Sequence, residues 1–375
     1  MKRILCITAG VAILAAAVFA ADAPKAAPGF EPSKVTLAMK DAKLSDALKM
    51  LSGLSGNAAL ALPENFPDKP VTLDLKDIGY FEALDAICAA AKISYEPVKD
   101  AAALCSPPNP RDAGEYCGPG TVKVIQVAKL NSFRDASYPD SRSLWMMLGS
   151  FWEDRLPVVA DACEVTRATT DDGRSLDIRQ RRVGQFMMGP YNADTKVRTS
   201  ARQIMGRFQN VPDRGESKTL QLEGTFKLSL GTGEKTLAIP KVLAEGDLSA
   251  EEGDITFKVT KIQKMGGVIV GNMAGPRAGK QQIMFMMDIT RAGGMVAMGN
   301  GSPYGIFLVD PDGKRYPAQA VSGSQQAKGN AWTANLWSVF EKPDKMDDTW
   351  SLVYVYPEKQ ESKEWSFKIK DVPLP

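Results

Sequence analysis

The chain has no histidine among its 375 residues. That absence removes the usual general base near neutral pH, the Ser-His-Asp and Cys-His arrangements of nucleophilic catalysis and every zinc site that needs an imidazole. No Ser-x-x-Lys occurs either, so a Ser-Lys dyad of that spacing is missing. Cysteine is scarce, at five residues, and no Cys-x-x-Cys is present, which leaves redox and zinc motifs unsupported. Paired carboxylates, the machinery of many glycosidases, are the one acid–base system the composition still permits.

Long apolar runs are also missing, with one exception. Lys2 and Arg3 precede an apolar run from Ile4 to Phe19, and Val18 and Ala20 occupy the small-residue positions of a signal-peptidase site. This is the secretory pattern. The run is shorter than the ~20 residues of a spanning helix, so cleavage is expected after Ala20. Residues 21–33 then read as a disordered leader. Cys6 lies inside the apolar run without a lipobox setting. Loss of Lys2 and Arg3 leaves 44 basic and 44 acidic side chains, a neutral mature chain that has no global attraction for nucleic acid or anionic lipid. No nucleic-acid partner, no cofactor and no transmembrane segment after cleavage are expected. The compartment is exported: periplasm first, with cell surface or extracellular space as alternatives.

Four cysteines follow the cleavage site: Cys88, Cys105, Cys117 and Cys163. In an oxidising compartment an even number suggests disulfides. Cys105 and Cys117 flank a Pro/Gly-rich loop whose ends a bridge would join, and they are the disulfide candidate. Cys88 shares a helical face with Leu84, Ile87 and Ala91, as a buried thiol would.

Residues 34–105 carry a repeated plan. Val35–Met39 alternates as a strand, and Leu44, Leu48 and Leu51 have helical spacing, with Ser45 able to cap the start and Gly53 and Gly56 the end. Ala58–Leu62 reads as a second strand. The plan recurs with the strand Val71–Leu75 and the helix Phe81–Ala91. Ile93–Val98 and Ala101–Cys105 then form a hairpin across Lys99-Asp100. Two helices would cover one face of a small mixed sheet. Residues 106–120 read as a Pro/Gly-rich linker. Beyond it the periodicity becomes that of strands: Thr121–Val127, Leu144–Phe151, Leu156–Ala160, and Leu220 to Leu230 through Gly224, which suggests a bulge. Ile255–Val259, Ile283–Ile289, Ile306–Asp310, Trp332–Phe340, Trp350–Tyr354 and Trp365–Ile369 follow. The expected fold class is therefore α+β: a small βαβ-repeat N-terminal domain followed by two mostly antiparallel β-sandwich-like domains, at 121–245 and 246–375.

Val71-Thr72-Leu73-Asp74-Leu75-Lys76-Asp77-Ile78, Glu82-Ala83-Leu84-Asp85-Ala86-Ile87 and Ile93-Ser94-Tyr95 resemble the short N-terminal domain of secretins and TonB-dependent receptors, and Leu44–Leu51 fits its first helix. In that family the domain is a periplasmic docking module, so the resemblance implies an envelope protein partner for residues 34–105. The chain lacks room for a secretin pore or a receptor barrel. The β-region is similar to a group of exported bacterial proteins of uncharacterised role that couple the same domain to β-domains. It does so through Asp171–Leu176, Val211–Gly215, Leu222-Glu223-Gly224, Phe307–Gly313 and Phe367–Pro375.

Three acidic turns imitate calcium-loop fragments: Asp310-Pro311-Asp312-Gly313, Asp171-Asp172-Gly173 and Glu251-Glu252-Gly253-Asp254. Each lacks the full ligand pattern and reads as a turn; no metal is expected. Gly275-Pro276-Arg277-Ala278-Gly279-Lys280 imitates a phosphate loop but has Ala274 where the first Gly belongs and Gln281 where Ser or Thr belongs. The Met-rich runs at Trp145–Met147, Phe186–Met188 and Met284–Met287 read as strand core. From Arg174 to Arg214 nine basic residues face three acids, a local excess in a balanced chain. Arg179, Arg181, Arg182, Arg198 and Arg202 are the candidates for gripping an anionic glycan or peptidoglycan; solvated strand faces would use the same charges.

These readings converge on an exported, non-catalytic protein-binding or scaffolding adaptor of the cell envelope. Two alternatives remain open: a carboxylate-dependent glycan-acting enzyme, and a structural surface protein that self-assembles through β-edges. If the basic stretch binds anions, retention of the chain on an anionic matrix falls with salt and falls further when Arg179, Arg181 and Arg182 are replaced together; elution of that variant at the wild-type salt concentration refutes it.

Overall fold

The structure is a computed structural model that describes residues 29–58, 60, 62, 66–98, 101–105, 113–130, 143–180, 201–209, 211, 217–244, 246–265, 281–292, 296, 304–318, 320–342 and 346–375. Residues 1–28, where cleavage is expected after Ala20, lie outside them. The chain is mostly β, with several antiparallel sheets and two helices among the described residues. No helix there is long and apolar enough to cross a membrane.

The N-terminal module runs β1 (Lys34–Lys43), α1 (Leu44–Ser55), β2 (Pro70–Gly79), α2 (Tyr80–Ala91), β3 (Ser94–Val98) and β4 (Ala101–Cys105). β1 and β2 pair antiparallel, as do β3 and β4, so two separate hairpin-like pairs replace the expected mixed sheet. The Val-Thr-Leu-x-x-Lys-Asp segments that begin at Val35 and Val71 meet each other across the β1–β2 ladder. Their aspartates, Asp41 and Asp77, have φ of 49° and 52° and sit at the two register shifts of the pair. Aspartate tolerates this left-handed conformation better than most side chains, and it bulges each strand. Each bulge is held reciprocally, the Asp41 N–H donating to Thr72 Oγ1 and the Asp77 N–H to Thr36 Oγ1, both at 3.1 Å. Val35, Leu37, Val71, Leu44, Leu48, Leu51, Leu84, Ile87 and Cys88 form the buried interior.

Two local expectations change here. Ser45 does not cap α1 with its own side chain; Asp68 does the work from outside, accepting the Ser45 N–H at 2.9 Å and its hydroxyl at 2.8 Å. These bonds favour the ionised carboxylate, and the Asp68 pKa is lowered. Ala58, Leu60 and Leu62 belong to no strand; Leu60 and Leu62 pack against the module core without a ladder.

The linker reading is also corrected. Within 106–120, residues 106–112 lie outside the described set, but Gly114–Cys117 is strand β5 and Gly120 opens β6 (Gly120–Leu130). Gly118, at φ 58°, turns the hairpin. β7 (Ser143–Trp152), β8 (Val158–Thr170), β9 (Asp177–Gln180), β10 (Ala201–Gln209) and β11 (Thr219–Thr232) follow. After them come β12 (Lys235–Ile239), β13 (Ser249–Glu252), β14 (Ile255–Met265), β15 (Gln282–Ala292), β16 (Gly305–Val309), β17 (Arg315–Pro317), β18 (Ala320–Lys328), β19 (Ala331–Glu341), β20 (Ser351–Tyr356) and β21 (Lys359–Pro373).

Sheets β5-β6-β7-β10-β9 and β21-β11-β8 share one core, containing Val122, Val124, Leu148, Phe208, Leu222, Phe226 and Phe367. Sheets β12-β20-β16-β17 and β13-β14-β15-β19-β18 share a second, built from Phe257, Phe285, Ile289, Leu308, Leu336 and Tyr354. The strand pairing departs from the expected division at 246. β12 lies before that point but pairs with β20, while β21, the last strand, returns to pair with β11 along its length. Alternation marks each strand but not its partner, which is chosen by non-local packing. Asp371, at φ 55°, absorbs the register shift opposite Leu220 and Leu222.

Gly224 is required by contact. It stands where β11 shifts register against β8, and a Cβ there would lie 2.2 Å from the Glu164 carbonyl and 2.4 Å from the Phe367 ring. Gly224→Val is expected to lower stability by about 1–3 kcal/mol through overpacking, read from urea unfolding of the full chain; an unchanged midpoint would contradict the packing described.

Candidate functional site

The five-stranded sheet is covered on both sides near the ends of β6, β7 and β10. One face builds the first β core. The other presents Thr121, Phe151 and Ala201, aligned by register, to the N-terminal module. Phe151 and Ala201 join the module core, and the Phe151 ring meets Tyr95 edge-on at 5.0 Å and Phe81 at 6.4 Å. Double coverage explains why β7 is buried almost continuously and lacks the alternation of a one-faced strand.

Charged groups flank this apolar seam. Lys123, 4% exposed at its side chain, pairs with Asp85 of α2 at 2.5 Å and lies 4.3 Å from the centre of the Tyr95 ring. The Tyr116 hydroxyl donates to the other Asp85 oxygen at 2.7 Å. On the other flank Glu153 is wholly buried. Its carboxylate accepts the Ser33 N–H at 2.7 Å, the Ser33 hydroxyl at 2.5 Å, Asn57 Nδ2 at 3.2 Å and Arg155 Nε at 2.5 Å. Asn57 Oδ1 accepts the Arg155 N–H, Arg155 Nη2 donates to the Glu31 carbonyl, and the Asp154 carboxylate accepts the Ala58 N–H at 2.9 Å. Burial pushes the Tyr80 phenol far up, and the Asp154 and Glu153 charges add to it.

Residues 29–33, expected as the end of a disordered leader, are therefore ordered. Phe30 meets Trp365 of β21 edge-on at 5.8 Å, and Glu31 pairs with Lys363 at 3.6 Å. An aromatic ring and Glu153's demand for donors tie this segment down.

The surface left to solvent differs in kind. Met50 and Leu54, one turn apart on α1, are 46% and 49% exposed. Gly53 lies between them with open space above its Cα. With Tyr116 and Met286 they are the exposed large apolar residues among those described.

Of the five arginine candidates, the two in described strands lie apart. Arg181, Arg182 and Arg198 lie outside the described residues. Arg179 falls in β9 and Arg202 in β10, adjacent strands. Gln180 pairs with Arg207, so Arg179 and Arg202 sit about 16 Å apart along the ladder. The Cys105–Cys117 bridge is not formed: Cys117 is a free, buried thiol. The alternation of β5 turns it into the core between the two sheets, while Cys105 closes the module hairpin. Burial and then Glu115 push the Cys117 thiol up to about 12. Cys163, in the same core, is also raised by burial and then by Cys117, and Cys88 is buried in the module.

The acidic segments are turns. Asp310 Oδ1 accepts the Asp312 and Lys314 N–H groups and its other oxygen takes the Tyr316 hydroxyl. Asp171 accepts the Lys218 N–H, Asp172 pairs with Arg174 at 2.8 Å, and Gly253 turns the β13–β14 hairpin at φ 60°. The segment 275–280 lies outside the described residues. Met146, Phe285 and Met287 are core; Phe186–Met188 lie outside. The Ser33–Asn57–Glu153 cluster escaped sequence reading, since Glu153-Asp154-Arg155 looks like any charged turn after a strand. Comparison with protein-family models, with curated proteins and with solved structures finds no match.

Two measurements follow. Glu153→Ala leaves buried donors and Arg155 without their acceptor and should cost about 3 kcal/mol or more, seen as a lower urea midpoint together with faster amide exchange around Ser33 and Asn57; unchanged exchange there would count against the knot. With its pKa near 12, the Cys117 thiol is about 10⁻⁴ ionised at pH 8. Iodoacetamide should leave Cys117 and Cys163 unmodified in the folded chain and alkylate both in guanidinium without reductant. Protection that persists in denaturant would show a disulfide.

Proposed function

We propose that the protein is an exported, non-catalytic binding or scaffolding adaptor of the cell envelope, cut after Ala20 and working in the periplasm. In this reading residues 34–105 are a docking module of the secretin and TonB short-domain type, and α1 carries its contact surface. Two sandwich-like β units, exchanging β12 and β21 across the expected boundary, hold that surface at a fixed distance and orientation. An anionic glycan or peptidoglycan is a second ligand for the basic stretch 174–214.

The observation that carries the reading is the Met50–Leu54 pair. A helix that packs Leu44, Leu48 and Leu51 inward has no folding need for two large apolar side chains on its outer face, yet it exposes about half of each. Such pairs at i and i+4 are anchors for a protein partner.

Recovery of a partner from envelope extract on immobilised full-length chain tests the reading. Replacing Met50 and Leu54 together by Glu should reduce specific recovery about tenfold or more while changing stability by under about 1 kcal/mol, as exposed positions do. Equal recovery by the folded variant removes α1 as the docking face, and glycan cleavage by the chain would replace the adaptor reading with the enzyme.

A further inference from the structure

β15 points Ile283, Phe285, Met287 and Ile289 into the second β core, each at most 1% exposed. The next position on that face is Arg291, only 8% exposed. Its backbone register places it between Ile255 of β14 and Trp332 of β19, in a row where alternation calls for an aliphatic residue. The guanidinium lies 5.5 Å from the centre of the Tyr356 ring. Its Nη2 donates to the Pro357 carbonyl at 3.1 Å. Nε and Nη1 are shielded from solvent and have no hydrogen-bond partner among the described residues, and no carboxylate among them makes an ion pair with it.

A permanently charged group with one neutral acceptor is an expensive occupant of an apolar row, because the guanidinium does not shed its proton. Buried polar groups are otherwise almost always satisfied, and an orphan signals an absent partner. We propose that Arg291 receives a carboxylate ligand at this end of the second β unit, with Tyr356 and Pro357 as the neighbouring wall. The Glu251–Asp254 turn beside it is exposed and is tied to the end of β15 by the Ala292 N–H to the Asp254 carbonyl at 3.0 Å. Burial first, and then the Glu252 carboxylate and the weaker Asp254 charge, push the Tyr356 phenol up against the opposing pull of Arg291, so acidic groups already stand beside this wall. A singly charged planar carboxylate is therefore favoured there over a multiply charged phosphate, and it matches the guanidinium in shape.

The test uses the full chain in sodium chloride, acetate or phosphate at matched ionic strength and pH 7. Acetate should raise the melting temperature of the wild type by about 3 °C over chloride, phosphate by less. Arg291→Met, which removes the orphaned charge, should melt at or above the wild type in chloride and lose the acetate increment. The Arg291 Nε–H resonance of the wild type, followed by NMR during acetate titration, decides the matter even if the variant fails to fold: a saturable shift supports the site. An unmoved resonance overturns the proposal, as does an acetate increment that persists in Arg291→Met. A larger Arg291-dependent increment with phosphate than with acetate overturns the carboxylate assignment.

Discussion

A carboxylate removed from water must be given donors, and Glu153 draws its donors from three separate parts of the chain. Ser33 comes from the N-terminal segment, Asn57 from the end of α1, and Arg155 from its own turn between β7 and β8. Each donor arrives already attached to another element, so satisfying one anion fixes how the helical module sits on the first β core. The seam beside it, Tyr95 and Phe81 on Phe151, supplies apolar contact that has little directional preference. The knot supplies the direction, because hydrogen bonds to a buried charge are strong only in a narrow geometry.

That constraint propagates. Ser33 and Glu31 hold Phe30 over Trp365, and Trp365 belongs to β21, the strand that closes the first β unit by pairing with β11. The first described residues and β21 therefore meet. β11 itself receives β8 on one side and β21 on the other, and Gly224 permits that close approach. Distant segments tied together in this way are what the proposed adaptor reading asks for. Met50 and Leu54 project from its helix while the module's other contacts are committed to Asp85, Lys123 and Glu153.

The second β unit is built by the same rules with one departure. Apolar alternation runs through β14, β15 and β19 until Arg291 interrupts it. Departures of this kind, where a buried charge meets one neutral acceptor and a ring but no counter-charge, are where binding is to be sought. The acidic turns show the reverse: Asp310 and Asp171 look like ligands in sequence, yet their oxygens are occupied by the N–H groups of their own turns and neighbouring strands.

Local patterning was enough to read most strands, both helices and the repeated Val-Thr-Leu plan, because periodicity of two or of 3.6 is set by which side of an element faces the core. Gly224 was legible as a break in alternation, and Cys88 as a core thiol from its helical spacing. Tertiary structure alone decided the rest. Which strand β21 joins, that β12 belongs with β20, that Gly114–Cys117 pairs rather than links, and that Cys117 faces a core instead of Cys105 all depend on contacts between residues far apart in the chain. Burial of Glu153 and Arg291 is of the same kind. A charge reads identically in sequence whether water or protein surrounds it, and only the packing of distant segments determines which.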